Sequence, residues 1–335
     1  MAGISEGPYF EELAVGRVFD AAPGVTLTEG MAAAHQAVVG DRLRLPLDAH
    51  LSREVLGGGT LAHPALVWDV AIGQSTLVTH HAKANLFYRG LAFRRLPLIG
   101  DTLRTRTEVV ALRQNRPRPG RRPTGLAVLR ITTADHDGRP VLDFRRCAMI
   151  PLRDHGARTG HDADLEAVGA SATGADLAGR AAGLLDGWRL DRFREQVPGR
   201  HFADVAEGDR WQVGGGDVVS AAPELARLTV NIAQVHHDTR EAGGPRLVYG
   251  GHTIGLALHQ AARALPNLVT VVAWHGCDHL SPVHEGDTLT SEITVERCQE
   301  LPGGGGLVHL RSVVEAVSGA EPAAVLDWRF VAVMA

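Results

Sequence analysis

Apolar and polar residues alternate with a period of two along LRTRTEVVAL (103–112), GLAVLRITTA (125–134) and VLDFRRCAMI (141–150). They do so again along LTSEITVERC (289–298), LVHLRSVVEA (307–316) and AVLDWRFVAV (324–333). Such alternation turns one face of an extended chain to a core and the other to water, so each stretch predicts a β-strand. Their β-branched content and short turns such as Asp137-Gly138 make them antiparallel neighbours. Ahead of each trio a Gly-rich stretch opens an apolar segment, LAHPALVWDVAIG (61–73) and YGGHTIGLALHQA (249–261), which predicts a long helix. Further helical segments are predicted over 29–41 and 221–235. One long helix followed by a meander, twice over, gives an α+β class with a sheet wrapped around a central helix.

The order repeats because the residues repeat. Phe10 and Gly16 match Phe202 and Gly208 at an offset of 192, His63 matches His252 at 189, and Gly100-Asp101-Thr102-Leu103 matches Gly286-Asp287-Thr288-Leu289 at 186. Offsets that drift this little, in order, indicate a duplicated domain. The chain therefore divides into an N-terminal domain over 1–153, a linker over 154–198 and a C-terminal domain over 199–335. The linker begins small, polar and rich in Gly and Ala. It ends in AAGLLDGWRLDRFREQ, where Leu184, Leu185, Trp188, Leu190 and Phe193 can share a face, which predicts a helix bridging the two halves.

Composition narrows the function. The 335 residues are 44% hydrophobic and 21% charged, the balance of a folded globular chain. A formal charge of -4 argues against a dedicated nucleic-acid partner. No apolar run is long enough to span a membrane, and the opening residues lack the basic and apolar regions of a secretion signal. The three cysteines form no CxxC pair, which fits a reducing cytoplasm rather than a disulfide framework. Histidine is the unusual residue: its 17 copies outnumber the 8 Phe, 3 Tyr and 5 Trp together. His80-His81, His236-His237 and His275 with His279 are potential metal ligands, yet no HExxH or paired cysteines accompany them, so no metal is assigned. Five arginines between Arg113 and Arg122 read as a solvated hairpin loop, with a phosphate contact as the alternative.

Chemistry concentrates in the second half. Asn231 precedes His236 by five residues, and Gly250-Gly251-His252 opens the long helix. A helix start offers unpaired N–H groups and a positive dipole end, which suit a thioester oxygen gaining negative charge. His236 is placed to move the proton.

These residues resemble the MaoC-like (R)-specific enoyl-CoA hydratases, whose signature is Asp-x-Asn-Pro-x-His. The stretches VVGDRLRLPL, KANLFYRGLAFRRLPLIGDTL, ALRQN, NIAQVHHD, PRLVYGGHTIGLAL and HLSPVHEGDTL look most like the double-hot-dog mesaconyl-CoA hydratases, or β-methylmalyl-CoA dehydratases. The resemblance covers roughly 8–152 and 200–318 and leaves the linker unmatched. It implies a tandem hot-dog fold and reversible hydration of a 2-enoyl-CoA to a 3-hydroxyacyl-CoA. Coenzyme A is then part of the substrate, held between the two hot-dogs, and no further cofactor is needed. It further implies His236, Asn231, Gly251 and His252 as catalytic positions, and Arg246, Tyr249, Asn85 and His279 as substrate-binding ones.

The match is not uniform. The signature's Asp falls on Asn231, which can orient a water but cannot take its proton. The first half keeps Asp41 but carries Pro46 where the histidine belongs. A second acid or base is therefore sought at Asp41, or at His275, Asp278 and His279, where residues of one strand face can converge. A dicarboxylic acyl chain would need a cation, and Arg246 is the first candidate, Arg89 the second. A carrier-bound thioester, a thioesterase activity and a non-catalytic acyl-binding role are the alternatives. A monomer of two hot-dogs and a homodimer both fit.

Overall fold

A computed structural model describes residues 7–170, 177–317 and 321–335. In the first half, β1 (Val18–Phe19) and β2 (Val25–Thr26) lead into α1 (Glu29–Val39), α2 (Arg44–Leu47), α3 (Ala49–Leu56) and α4 (Pro64–Gln74). Four long strands follow: β3 (Ala84–Phe93), β4 (Thr102–Gln114), β5 (Thr124–Ala134) and β6 (Pro140–Pro151). Between the halves lie α5 (Leu165–Ala170), α6 (Leu177–Leu184) and α7 (Leu190–Gln196). The second half runs β7 (Arg210–Gln212), β8 (Asp217–Val218), α8 (Ala222–Leu228), α9 (Thr239–Ala242) and α10 (Gly250–Ala264). It closes with β9 (Leu268–His279), β10 (Thr288–Glu300), β11 (Gly306–Val317) and β12 (Pro322–Met334).

The sheet is continuous and antiparallel, and its order is the same from either end: β1-β4-β5-β6-β3, then β9-β12-β11-β10-β7. This is the double hot-dog, two sheets joined edge to edge through β3 and β9, where Tyr88 faces Cys277 and Arg89 faces Gly276. Those two seam strands were absent from the alternating stretches read in the sequence. The burial of β3 is irregular along its length, because a strand between two halves lacks a clean wet face.

The central helices form as their sequences dictate. His63 caps α4 by accepting from the Ala65 N–H, Pro64 stands at the first helical position, and every residue from Pro64 to Gln74 is buried. In α10, eleven of its residues are buried. The two helices start 186 residues apart, as do β4 and β10. His63 is thus the counterpart of Tyr249, both of them N-caps, and not of His252 as the local match of sequence had it. Trp68, Trp274 and Trp328 meet edge to face in the core, with ring centres 4.8 to 6.2 Å apart.

Two predicted helices are shorter than their sequences suggested. The 221–235 segment stops at Leu228, and Val230 takes a left-handed backbone with φ of 54°. Tertiary packing imposes the break, since α4 presses Gly73 against the Thr229 carbonyl there. The linker segment splits at Gly187 (φ 76°) into α6 and α7. Leu185, Leu190 and Phe193 nonetheless pack together on Leu51 and Val55 of the first half and Val272 and Val331 of the second. The arginine-rich run forms the turn between β4 and β5, with Arg116, Arg118 and Arg121 exposed.

A side chain at Gly73 would put its first carbon 1.8 Å from the Thr229 carbonyl oxygen, a backbone atom with no freedom to move aside. Gly73→Ala is predicted to destabilise by about 1–3 kcal/mol or more, read as a lower thermal midpoint than the parent's.

Candidate active site

A cavity of about 330 Å³ opens at the seam. The first half supplies Thr76, Thr79, Asn85, Tyr88 and Arg146 to its wall; the second supplies Asn231, His236, Tyr249, Gly250 and His279. A wider hollow of about 790 Å³, lined in part by His237, Arg227 and Arg240, shares Thr76 and Asn231 with it.

His236 ends a single 3-10 turn, Gln234–His236. Its Nδ1 lies 2.7 Å from the Leu247 carbonyl, which can only accept, so Nδ1 carries the proton and Nε2 is left as a base. Burial drives its pKa down to about 4, keeping the ring neutral. Asn231 is held on the left-handed bend after α8, and its Oδ1 accepts from the Ala233 N–H at 2.9 Å. That leaves the Asn231 amide nitrogen as a donor at the cavity. Asn85 and His279 also line the cavity, and the Asn85 amide and His279 Nε2 are buried with no hydrogen-bond partner among the described residues.

Gly250 brings the start of α10 to the cavity wall. The first N–H groups of a helix have no partner within it, and Tyr249 provides no side-chain cap. A β-carbon there would lie 2.9 Å from His279 Nε2, so glycine keeps this wall open. Tyr249 packs edge-on to His236 with ring centres 5.9 Å apart, and its hydroxyl lies 3.1 Å from Asp69 Oδ1.

Asp69 leads into a buried network that the sequence did not reveal. His35 joins Asp41 at 2.7 Å and Asp69 at 3.2 Å, and Asp41 lies 3.3 Å from His63. Burial opposes a charge on His35, but the two carboxylates outweigh it and raise its pKa to about 10. His35, Asp41 and His63 bring atoms of metal-ligand type within 4.8 Å of one another. Asp41 Oδ2 is already engaged by His35 Nδ1 at 2.7 Å, and His63 Nδ1 accepts from the Ala65 N–H.

Several sequence-predicted residues stand elsewhere. His252 does not line the cavity: it is fully buried, with neither ring nitrogen hydrogen-bonded, because the third helical residue points into the core. Gly251 does not line it either. Its lack of a side chain lets Asp69 approach, since a β-carbon would sit 2.0 Å from Asp69 Oδ1. Arg246 is paired with Glu285, and Arg89 with Asp278 at 2.6 Å, so neither cation is placed to meet a substrate carboxylate. His275 and His279 do not converge, because the β9 register shifts at His275, which stacks on His309 instead. Asp41 lies outside the cavity.

Arg146 was missed, although its signal was present. It sits on β6 two residues from Phe144 and two from Ala148, both buried in the main core, so an arginine occupies an inward position of an alternating strand. The structure places it opposite Tyr88, in the cavity wall.

No family model matches the chain. A solved structure from Mycobacterium tuberculosis, described as a conserved hypothetical protein essential for bacterial survival during infection and having a double hotdog fold, is 55% identical. It covers 98% of both chains with a TM-score of 0.90. The beta-methylmalyl-CoA dehydratase of Chloroflexus aurantiacus is 26% identical over 99% of this chain and 98% of that one. The mesaconyl-CoA hydratase of Cereibacter sphaeroides is 26% identical over 94% and 91%. The chain belongs to one double-hot-dog family with the M. tuberculosis protein. In this chain the signature-type histidine lies in the second half and Asp41 in the first. Only the former lines the cavity.

Burial depresses His236, His252 and His279 to about 4 each. A histidine neutral when folded takes up a proton on unfolding below its ordinary pKa of about 6.5. Its contribution to stability is complete above that pH and is lost as pH falls toward 4. The thermal midpoint is therefore predicted to drop across this window, and His252→Leu, which removes one such group, to make the drop shallower.

Proposed function

We propose that the protein reversibly hydrates an acyl thioester, converting a 2-enoyl-CoA to a 3-hydroxyacyl-CoA. The observation that carries this reading is the neutral His236, fixed through Nδ1 with Nε2 free, beside the start of α10 in a cavity made by both halves. The names of the two 26% identical relatives support the same reaction and favour a short, branched, dicarboxylic acyl group such as mesaconyl-CoA or β-methylmalyl-CoA.

The acyl end occupies the 330 Å³ cavity while coenzyme A lies along the wider hollow beside it. The thioester oxygen accepts from the Gly250 N–H at the start of α10, which stabilises the charge that develops as water attacks the β-carbon. Asn231 donates to the attacking water and His236 Nε2 takes one of its protons. Hydroxide adds to the β-carbon, the α-carbon gains the proton, and the histidine returns to its neutral form. Asn231 cannot act as a base, so the work of acid and base falls on imidazole. His279, whose Nε2 has no partner among the described residues, is the second imidazole at the cavity.

Absorbance of the conjugated enoyl thioester reports the reaction directly. Mesaconyl-CoA or crotonyl-CoA should lose that absorbance with the parent, and His236→Ala should lower kcat by roughly 10²–10⁴. Full activity in His236→Ala would contradict the assignment. Because the ring stays neutral down to about 4, activity in the hydration direction should persist through pH 6 and fall only as pH approaches 4. An acid limb near 6.5 would contradict the buried, neutral base.

A further inference from the structure

Arg146 is buried in the cavity wall with 4% of its surface exposed. Its Nη2 donates to Thr79 Oγ1 at 2.7 Å and, at 3.4 Å, to the Ser75 carbonyl. Nε is buried with no partner, and no hydrogen bond engages Nη1 among the described residues. Among those residues, no carboxylate lies within ion-pair distance of the guanidinium. The groups nearest it in charge are the phenols of Tyr88 and Tyr249 and the thiol of Cys147. The two arginines considered for a substrate carboxylate, Arg89 and Arg246, each already have a carboxylate partner.

A buried cation without a counter-charge is costly, and proteins retain one where a ligand completes the pair. An arginine with unused N–H groups offers a carboxylate a charge-assisted contact that a neutral chain end cannot return. Lys83, the other cation lining the cavity, donates to the Glu241 carbonyl at 2.9 Å and lies 3.7 Å from its carboxylate.

The geometry points to Arg146 as the specificity-determining residue, which reads a carboxylate carried on the acyl chain of the thioester. This rests on the acyl-thioester reading of the cavity and deepens it: the substrate is an acyl thioester bearing a second, free carboxylate. A monocarboxylic chain of the same length leaves the guanidinium unpaired and binds more weakly.

Saturated thioesters test this without turnover. Titration calorimetry would compare succinyl-CoA with butyryl-CoA on the parent, Arg146→Gln and Arg146→Lys. The parent should bind succinyl-CoA roughly 10–100-fold more tightly, the range of one charge-assisted contact. Arg146→Gln should erase the preference, and Arg146→Lys, which keeps the charge but not the planar fork, should retain part of it. Equal affinity for the two thioesters in the parent, or binding of neither, overturns the assignment. So does a preference that survives in Arg146→Gln. Should Arg146→Gln fail to fold, Arg146→Lys decides, since a purely structural arginine would leave the succinyl-to-butyryl ratio at the parent's value. A parent that shows the preference yet hydrates no enoyl thioester would defeat the hydratase reading and leave the Arg146 assignment standing.

Discussion

A buried chain of hydrogen-bonded groups runs from the first half to the second beside the cavity. His35 lies between Asp41 and Asp69, and Asp69 reaches across to the Tyr249 hydroxyl in the second half. Charges taken out of water are tolerated only when closely paired, so these groups fix the relative positions of α1, α4 and α10. Tyr249 is the hinge of this arrangement. It stands at the N-cap position of α10, packs against His236 and lies beside Gly251, whose missing side chain admits Asp69. Tyr249, in the cavity wall at the seam, is thereby backed by a network rooted in the first half.

The two copies have diverged, and the acid of the first half stays within that half. The first half retains Asp41, but α2 places Pro46 where a histidine would stand. The counterparts of the paired Tyr88 and Arg146 are the paired Trp274 and Phe330, which belong to the apolar core. The second half retains His236 and an open wall. One half thus supplies the buried Asp41–His35–Asp69 network and part of the cavity lining, and the other supplies His236 and the helix start.

The repeat made the fold legible, because strand alternation and the recurring Gly-Asp-Thr-Leu turn survive in both copies. The seam strands were harder to read, since β3 and β9 lack a wet face and their burial does not alternate cleanly. His236 and Asn231 were legible from spacing before a glycine-opened helix, and both line the cavity. His252 was misleading because sequence similarity aligned it with His63, whereas the helix starts align His63 with Tyr249. Arg246 and Arg89 drew attention as cations, but their acidic partners, Glu285 and Asp278, lie 39 and 189 residues away, beyond any local pattern. Arg146 carried a readable signal, an arginine on the apolar face of a strand. His35 and Asp69 carried none, because their pairing depends on packing between helices.

The central claim is that His236 directs water to the β-carbon of an enoyl thioester, and oxygen-labelled water tests it most directly. Mesaconyl-CoA incubated with the parent in such water and analysed by mass spectrometry should gain one labelled water in an intact thioester, with the label in the new hydroxyl. His236→Ala should give little labelled product over the same time. Label found instead in a free carboxylic acid, with coenzyme A released, would show attack at the thioester carbonyl and contradict the account.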